Sequence, residues 1–129
     1  MLKFFFTLTV AIASLSLLGQ KQDPNKENPN PVIGEWEIDL RPIPNSHEYL
    51  ITFEIIQVEG KVFQGTYFGS EIANGVINDL WDSPVLSFTT ANENHTYYHS
   101  AKIMGKTMEG ITYCPDITYT APWKGSLKD

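Results

Sequence analysis

The chain holds one cysteine, Cys114, and one arginine, Arg41, in 129 residues. A lone cysteine forbids an internal disulfide, so core packing must hold the fold together. The expected state of Cys114 is buried and inert. Basic groups are scarce, nine Lys and Arg against fifteen Asp and Glu, for a net charge of −6. With no basic stripe there is no electrostatic footprint for nucleic acid, and an anionic lipid surface would repel the chain. No window of a dozen residues carries a clean 3.6-residue apolar stripe, which argues against helices. Catalytic and metal motifs are missing too. Ser100 cannot work with His99, because strand neighbours point to opposite faces. His95 and His99, four apart on a strand, would stand roughly 13 Å apart, too far to share one ion. They read as two partly exposed histidines. The expectation is a protein that is not an enzyme and uses no metal and no cofactor.

The one long apolar run, Phe4 to Leu18, lies at the start, behind Lys3 and ahead of the small residue Gly19. It is short for a membrane span and polar sequence comes directly after it, so residues 1–19 read as a signal peptide. Gln20 stands where a lipoprotein would carry its lipidated cysteine, so no membrane anchor is expected after cleavage. Removing Lys3 leaves eight basic against fifteen acidic groups, a net charge of −7 for a secreted or periplasmic product. Residues 20–31, with three prolines and no large apolar side chain, read as a disordered linker. Residues 32–129 form the domain.

That domain opens with Gly34-Glu35-Trp36-Glu37-Ile38-Asp39-Leu40, apolar on one face and acidic on the other. Further strands are expected at about 48–58, 61–68, 71–78, 84–90, 96–103, 107–114 and 117–126. Pro42 and Pro44 break the chain after the first strand. Glu59-Gly60 and Met104-Gly105-Lys106 are turns. Short strands with turns every 8–12 residues predict an all-β fold, a single antiparallel meander or β-barrel of about eight strands. Two segments echo each other, Gly60-Lys61-Val62-Phe63-Gln64-Gly65 and Gly105-Lys106-Thr107-Met108-Glu109-Gly110. Each puts a glycine inside a strand, where barrels coil or let another group approach closely.

The Gly34-x-Trp36 strand leading into an antiparallel meander resembles the calycins, the lipocalin-like proteins and their relatives. The resemblance implies a tryptophan closing the bottom of the barrel beneath a basic side chain, here Lys124 or Arg41. It also implies a ligand at the barrel mouth. Phe63-Gln64-Gly65-Thr66-Tyr67 is similar to a strand of the avidins, in which the tyrosine contacts biotin; Ile38 stands where that family has an asparagine. The candidate ligand-binding residues are Trp36, Phe53, Tyr67, Trp81, Phe88, Tyr98 and Trp123. Tyr97 and Tyr98 occupy opposite faces of their strand, so one points inward. The function expected is non-enzymatic binding of a small, partly apolar ligand. The alternative is a filled barrel serving as a structural or protein-interaction domain at the cell envelope. Ligand identity, protein partners and oligomeric state are not encoded in any motif.

Overall fold

The structure, a computed structural model, describes residues 30–129. The expected signal peptide, 1–19, and residues 20–29 of the expected linker lie outside the described residues. The domain is all-β. Its strands are β1 (Gly34–Asp39), β2 (Leu50–Glu59), β3 (Val62–Tyr67), β4 (Ser70–Glu71), β5 (Ala73–Asn78), β6 (Val85–Ala91), β7 (Thr96–Met104), β8 (Thr107–Cys114) and β9 (Tyr119–Leu127). Successive strands pair antiparallel, except that β5 reaches past the short β4 to pair with β3, and β9 returns to pair with β1. The result is a closed eight-stranded barrel, with β4 as a short spur continuing the β3 hairpin before β5 descends.

Several boundaries differ from the sequence reading; β2 starts at Leu50 rather than 48. The segment expected at 71–78 is split at Ile72, and β5 beyond the split is irregular: Asn74 takes a left-handed backbone (φ 56°) and the β5–β6 register slips between Ala73 and Val76. The last strand starts at Tyr119 rather than 117, because Pro115–Ile117 forms a 3-10 turn that ends at a left-handed Thr118. The hairpin turns come where expected. Gly60 and Gly105 both sit at φ 65°, a conformation that glycine adopts without strain. The two in-strand glycines mark close approaches. A side chain on Gly65 would overlap the Glu54 carbonyl, beside a bulge in β2, and one on Gly110 would overlap the Trp123 ring.

Closure is incomplete on one side. β1 pairs with β9 only from Trp36–Leu127 to Asp39–Lys124, so among the described residues the upper part of β9, Tyr119–Trp123, has no strand partner on that flank. The cause is local: after Leu40, Pro42 and Pro44 take the chain away from strand geometry. Arg41 fastens this departure. Its guanidinium donates to Asp39 Oδ2 at 2.6 and 2.8 Å, while Asp39 Oδ1 accepts the backbone N–H groups of Arg41 and Tyr49. These bonds, with the Arg41 side chain first among them, hold the Asp39 carboxyl down at a pKa of about 2. Pro122 lies on the unpartnered stretch of β9.

The interior divides into two halves. The half near the β2–β3, β5–β6 and β7–β8 turns is filled by Trp36, Ile38, Ile55, Phe63, Ile77, Leu86, Ile103 and Met108, all nearly inaccessible. Trp36 donates its indole N–H to the Val32 carbonyl at 2.9 Å, so the chain entering β1 is tied down at this end. Neither basic candidate lies beneath that tryptophan: Arg41 is committed to Asp39, and Lys124 points outward. The other half is not filled.

Candidate functional site

Above the filled layer, Phe53, Phe88, His99, Tyr67 and Trp123 form an aromatic shelf across the barrel. Phe88 lies over Phe53 with ring centroids 4.9 Å apart, and His99 stacks on Phe88 at 4.5 Å and 19°. Tyr67 meets His99 at 4.6 Å and Trp123 at 5.7 Å. Tyr67, His99 and Trp123 are the upper surface of this shelf. They floor a cavity of about 380 Å³ that opens at the end bearing the 40–49, 68–69, 92–95 and 115–118 loops. Strand alternation aims the walls: Thr90 of β6, Tyr97 of β7, Thr112 of β8 and Ala121 of β9 share the inward phase of their strands. Leu40, Phe68, Ile117 and Tyr119 form an apolar rim. Phe68 is displayed there by a tight Phe68-Gly69 turn in which both residues have positive φ.

One polar network crosses the floor. His99, 4% exposed, has Nε2 2.9 Å from Thr90 Oγ1 and Nδ1 2.8 Å from Thr112 Oγ1. Trp123 donates its indole N–H to the same Thr112 oxygen at 2.9 Å. A neutral imidazole satisfies both threonines, giving one proton and receiving the other. Burial pushes the His99 pKa down to about 4, so the ring is uncharged at neutral pH. The Tyr67 hydroxyl is the exception. It is buried and has no hydrogen-bond partner by geometry among the described residues; the Thr112 hydroxyl, which serves His99 and Trp123, is its nearest polar neighbour. Burial raises the Tyr67 pKa, so the group stays a neutral O–H donor.

Chemically, the site offers aromatic faces, methyl groups, the hydroxyls of Ser70, Tyr97 and Tyr119, and the buried Tyr67 hydroxyl. Among the described residues lining it, none is Asp, Glu, Lys or Arg. His99 has both ring nitrogens committed and no carboxylate bonded to it, which is not the arrangement of an activated general base.

The sequence candidates are distributed as follows. Tyr67 and Trp123 floor the cavity. Phe53 and Phe88 support that floor from beneath, and Trp36 is sealed in the filled half. Two candidates face away from the interior. Trp81 is 71% exposed on the β5–β6 loop at the opposite end, and Tyr98 is 47% exposed on the outer face of β7, against Tyr113. Tyr97 is the inward member of that pair. The phase was readable: Ser100 and Lys102 share the parity of Tyr98, while Ala101 and Ile103 share that of Tyr97. His99, expected to be partly exposed, is buried for the same reason of phase. The threonines escaped the sequence reading because nothing local distinguishes them from outward threonines. Comparisons with family models, curated proteins and solved structures give no match to this chain.

Proposed function

We propose that this protein is an exported, non-enzymatic carrier or sensor that binds a small, uncharged, partly apolar molecule in the mouth of a lipocalin-like barrel. The observation that carries this reading is the Tyr67 hydroxyl, buried on the cavity floor without a hydrogen-bond partner among the described residues. A buried donor left unmade costs roughly 1–3 kcal/mol, and a ligand acceptor seated in the cavity removes that penalty. The apolar rim and walls favour a hydrocarbon or aromatic body, and the absence of charged lining side chains disfavours ions. The Gly34-x-Trp36 strand and the closed meander support the lipocalin-like reading, and the position of Tyr67 supports the weaker avidin likeness. The signal-like segment 1–19 supports secretion or a periplasmic location.

A second reading, an interaction domain at the cell envelope, draws its support from the opposite end. There Leu80 and Trp81 are adjacent and 80% and 71% exposed. Two probes separate the readings. Nile red, uncharged with a carbonyl acceptor, should bind and quench or shift Trp123 fluorescence, whereas an anionic anilinonaphthalene sulfonate should not. Native mass spectrometry of protein from its own producing cells should show a bound molecule lost on denaturation. If neither dye binds the cavity and the native mass is clean, the carrier reading fails.

A further inference from the structure

The geometry points to a transition-metal site at the barrel mouth, formed by His95, Cys114 and Asp116 and suited to Zn²⁺. The β7–β8 ladder assembles it. The pairing runs up to Tyr98 opposite Tyr113; just beyond it β8 ends at Cys114 and the chain enters the 3-10 turn that carries Asp116, while His95 immediately precedes β7. His95 and Cys114 thus come together at the mouth end of the same strand pair. Their ligand atoms (the His95 imidazole, Cys114 Sγ and an Asp116 carboxylate oxygen) all lie within 4.8 Å of one another.

Two details separate this cluster from an ordinary surface ion pair. His95 Nδ1 is shielded from solvent and makes no hydrogen bond among the described residues, although the side chain as a whole is 29% exposed. Its separation from Asp116 Oδ2, 3.5 Å, is too long for a hydrogen bond. It is close to the roughly 3.4 Å expected between nitrogen and oxygen bound to one tetrahedral zinc at about 2.1 Å each. His95 is also held in place. Asn92 Oδ1 accepts the backbone N–H groups of Asn94 and His95 at 2.8 Å, and the imidazole lies edge-on to Tyr97. Asp116, with its side chain 57% exposed, can swing to complete the set and gives the ion a way in from solvent.

One thiolate, one imidazole and one carboxylate form a mixed donor set that zinc accepts, with a fourth position left for water. A bound ion would join the 92–95 loop to the 115–118 loop. Both contribute to the cavity wall through Asn92 and Ile117. The ion would thus brace the mouth whether or not a ligand is present, and its binding does not depend on what the cavity holds.

The test uses the reduced, chelator-stripped chain titrated with Zn²⁺ alone by calorimetry, and with Co²⁺ alone by absorption. One Zn²⁺ per chain is expected. Co²⁺ should produce a thiolate-to-metal charge-transfer band and the strong visible bands of a tetrahedral ion. His95→Gln and Asp116→Asn should each weaken binding by at least about a hundredfold, and His47→Gln should leave it unchanged. Cys114→Ser should abolish the charge-transfer band; because Cys114 is fully buried and its replacement can cost the fold, the band in the unmutated chain carries that part of the test. The proposal is overturned by the absence of saturable one-to-one binding, by a cobalt spectrum without a thiolate band, or by affinity that survives both His95→Gln and Asp116→Asn.

Discussion

Replacing Tyr67 by phenylalanine should stabilise the protein while weakening its ligand. The substitution removes one oxygen and keeps the ring that packs on Phe53, Phe88, His99 and Trp123. In the free protein that oxygen is buried and makes no hydrogen bond. Deleting it relieves part of a desolvation penalty of roughly 1–3 kcal/mol, and water entering the open cavity recovers some of that penalty in the parent. The net gain should be about 1 kcal/mol, which for a domain near 100 residues raises Tm by about 4–8 °C. With ligand bound, the parent gains a hydrogen bond that the variant lacks. That bond is worth about 1–1.5 kcal/mol, or roughly a tenfold loss of affinity. The assay is paired: urea unfolding of the free proteins, and Nile red titration followed through tryptophan emission. The two effects must carry opposite signs. A Tyr67→Phe variant destabilised by about 1 kcal/mol or more would mean the hydroxyl is well satisfied inside the protein, by Thr112 or by fixed water. An acceptor-bearing ligand would then have nothing in the cavity to call for it.

Acid should weaken the fold in two separate stages. His99 is held neutral with a folded pKa of about 4 against an ordinary 6.5, so the unfolded chain binds the proton first. Stability is unaffected above pH 6.5 and declines as pH falls toward 4, by about 3 kcal/mol in all. His99→Gln should flatten that stage in a plot of unfolding free energy against pH. Asp39, depressed from 3.8 to about 2 by Arg41 and two backbone donors, contributes stability above pH 3.8 that is lost toward pH 2; Asp39→Asn should remove this second stage. Gly110→Val should displace the Trp123 ring, lowering stability by about 2 kcal/mol or more and erasing the near-ultraviolet dichroism of that tryptophan. Trp81→Ser, at the far end of the barrel, should leave dye binding unchanged within about twofold; a larger loss would relocate the site.

The longer strands were legible because apolar residues alternate along them, and the β2–β3 and β7–β8 turns because glycine stands where φ is positive. The filled half follows the same alternation at Ile103 and Met108, whereas Ile77 and Leu86 stand beside Val76 and Val85, which face outward. What alternation does not supply is phase at the polar mouth. At Tyr97 and Tyr98 the answer lay further along the strand, in Ser100 and Lys102. At Thr90, His99 and Thr112 it lay in three strands at once. His95, Cys114 and Asp116 were invisible for a different reason. Spacing along one strand does separate His95 from His99, but Cys114 and Asp116 reach His95 from the end of β8 and the 3-10 turn after it, which no spacing near His95 reveals. Pro115 also hid the 3-10 turn, since a proline after a strand marks an ending without specifying the next element.

The upper flank of β9, left without a strand partner among the described residues by Pro42 and Pro44, carries a consequence for behaviour at high concentration. An unpaired strand edge is a template on which a second chain can add, the usual first step toward ordered aggregates. Pro122 sits on this stretch and has no N–H to offer an incoming strand. A barrel left ajar on one side is therefore guarded by the residue at its opening. Pro122→Val would restore a donor there, and the protein's colloidal lifetime would shorten before its melting temperature changed.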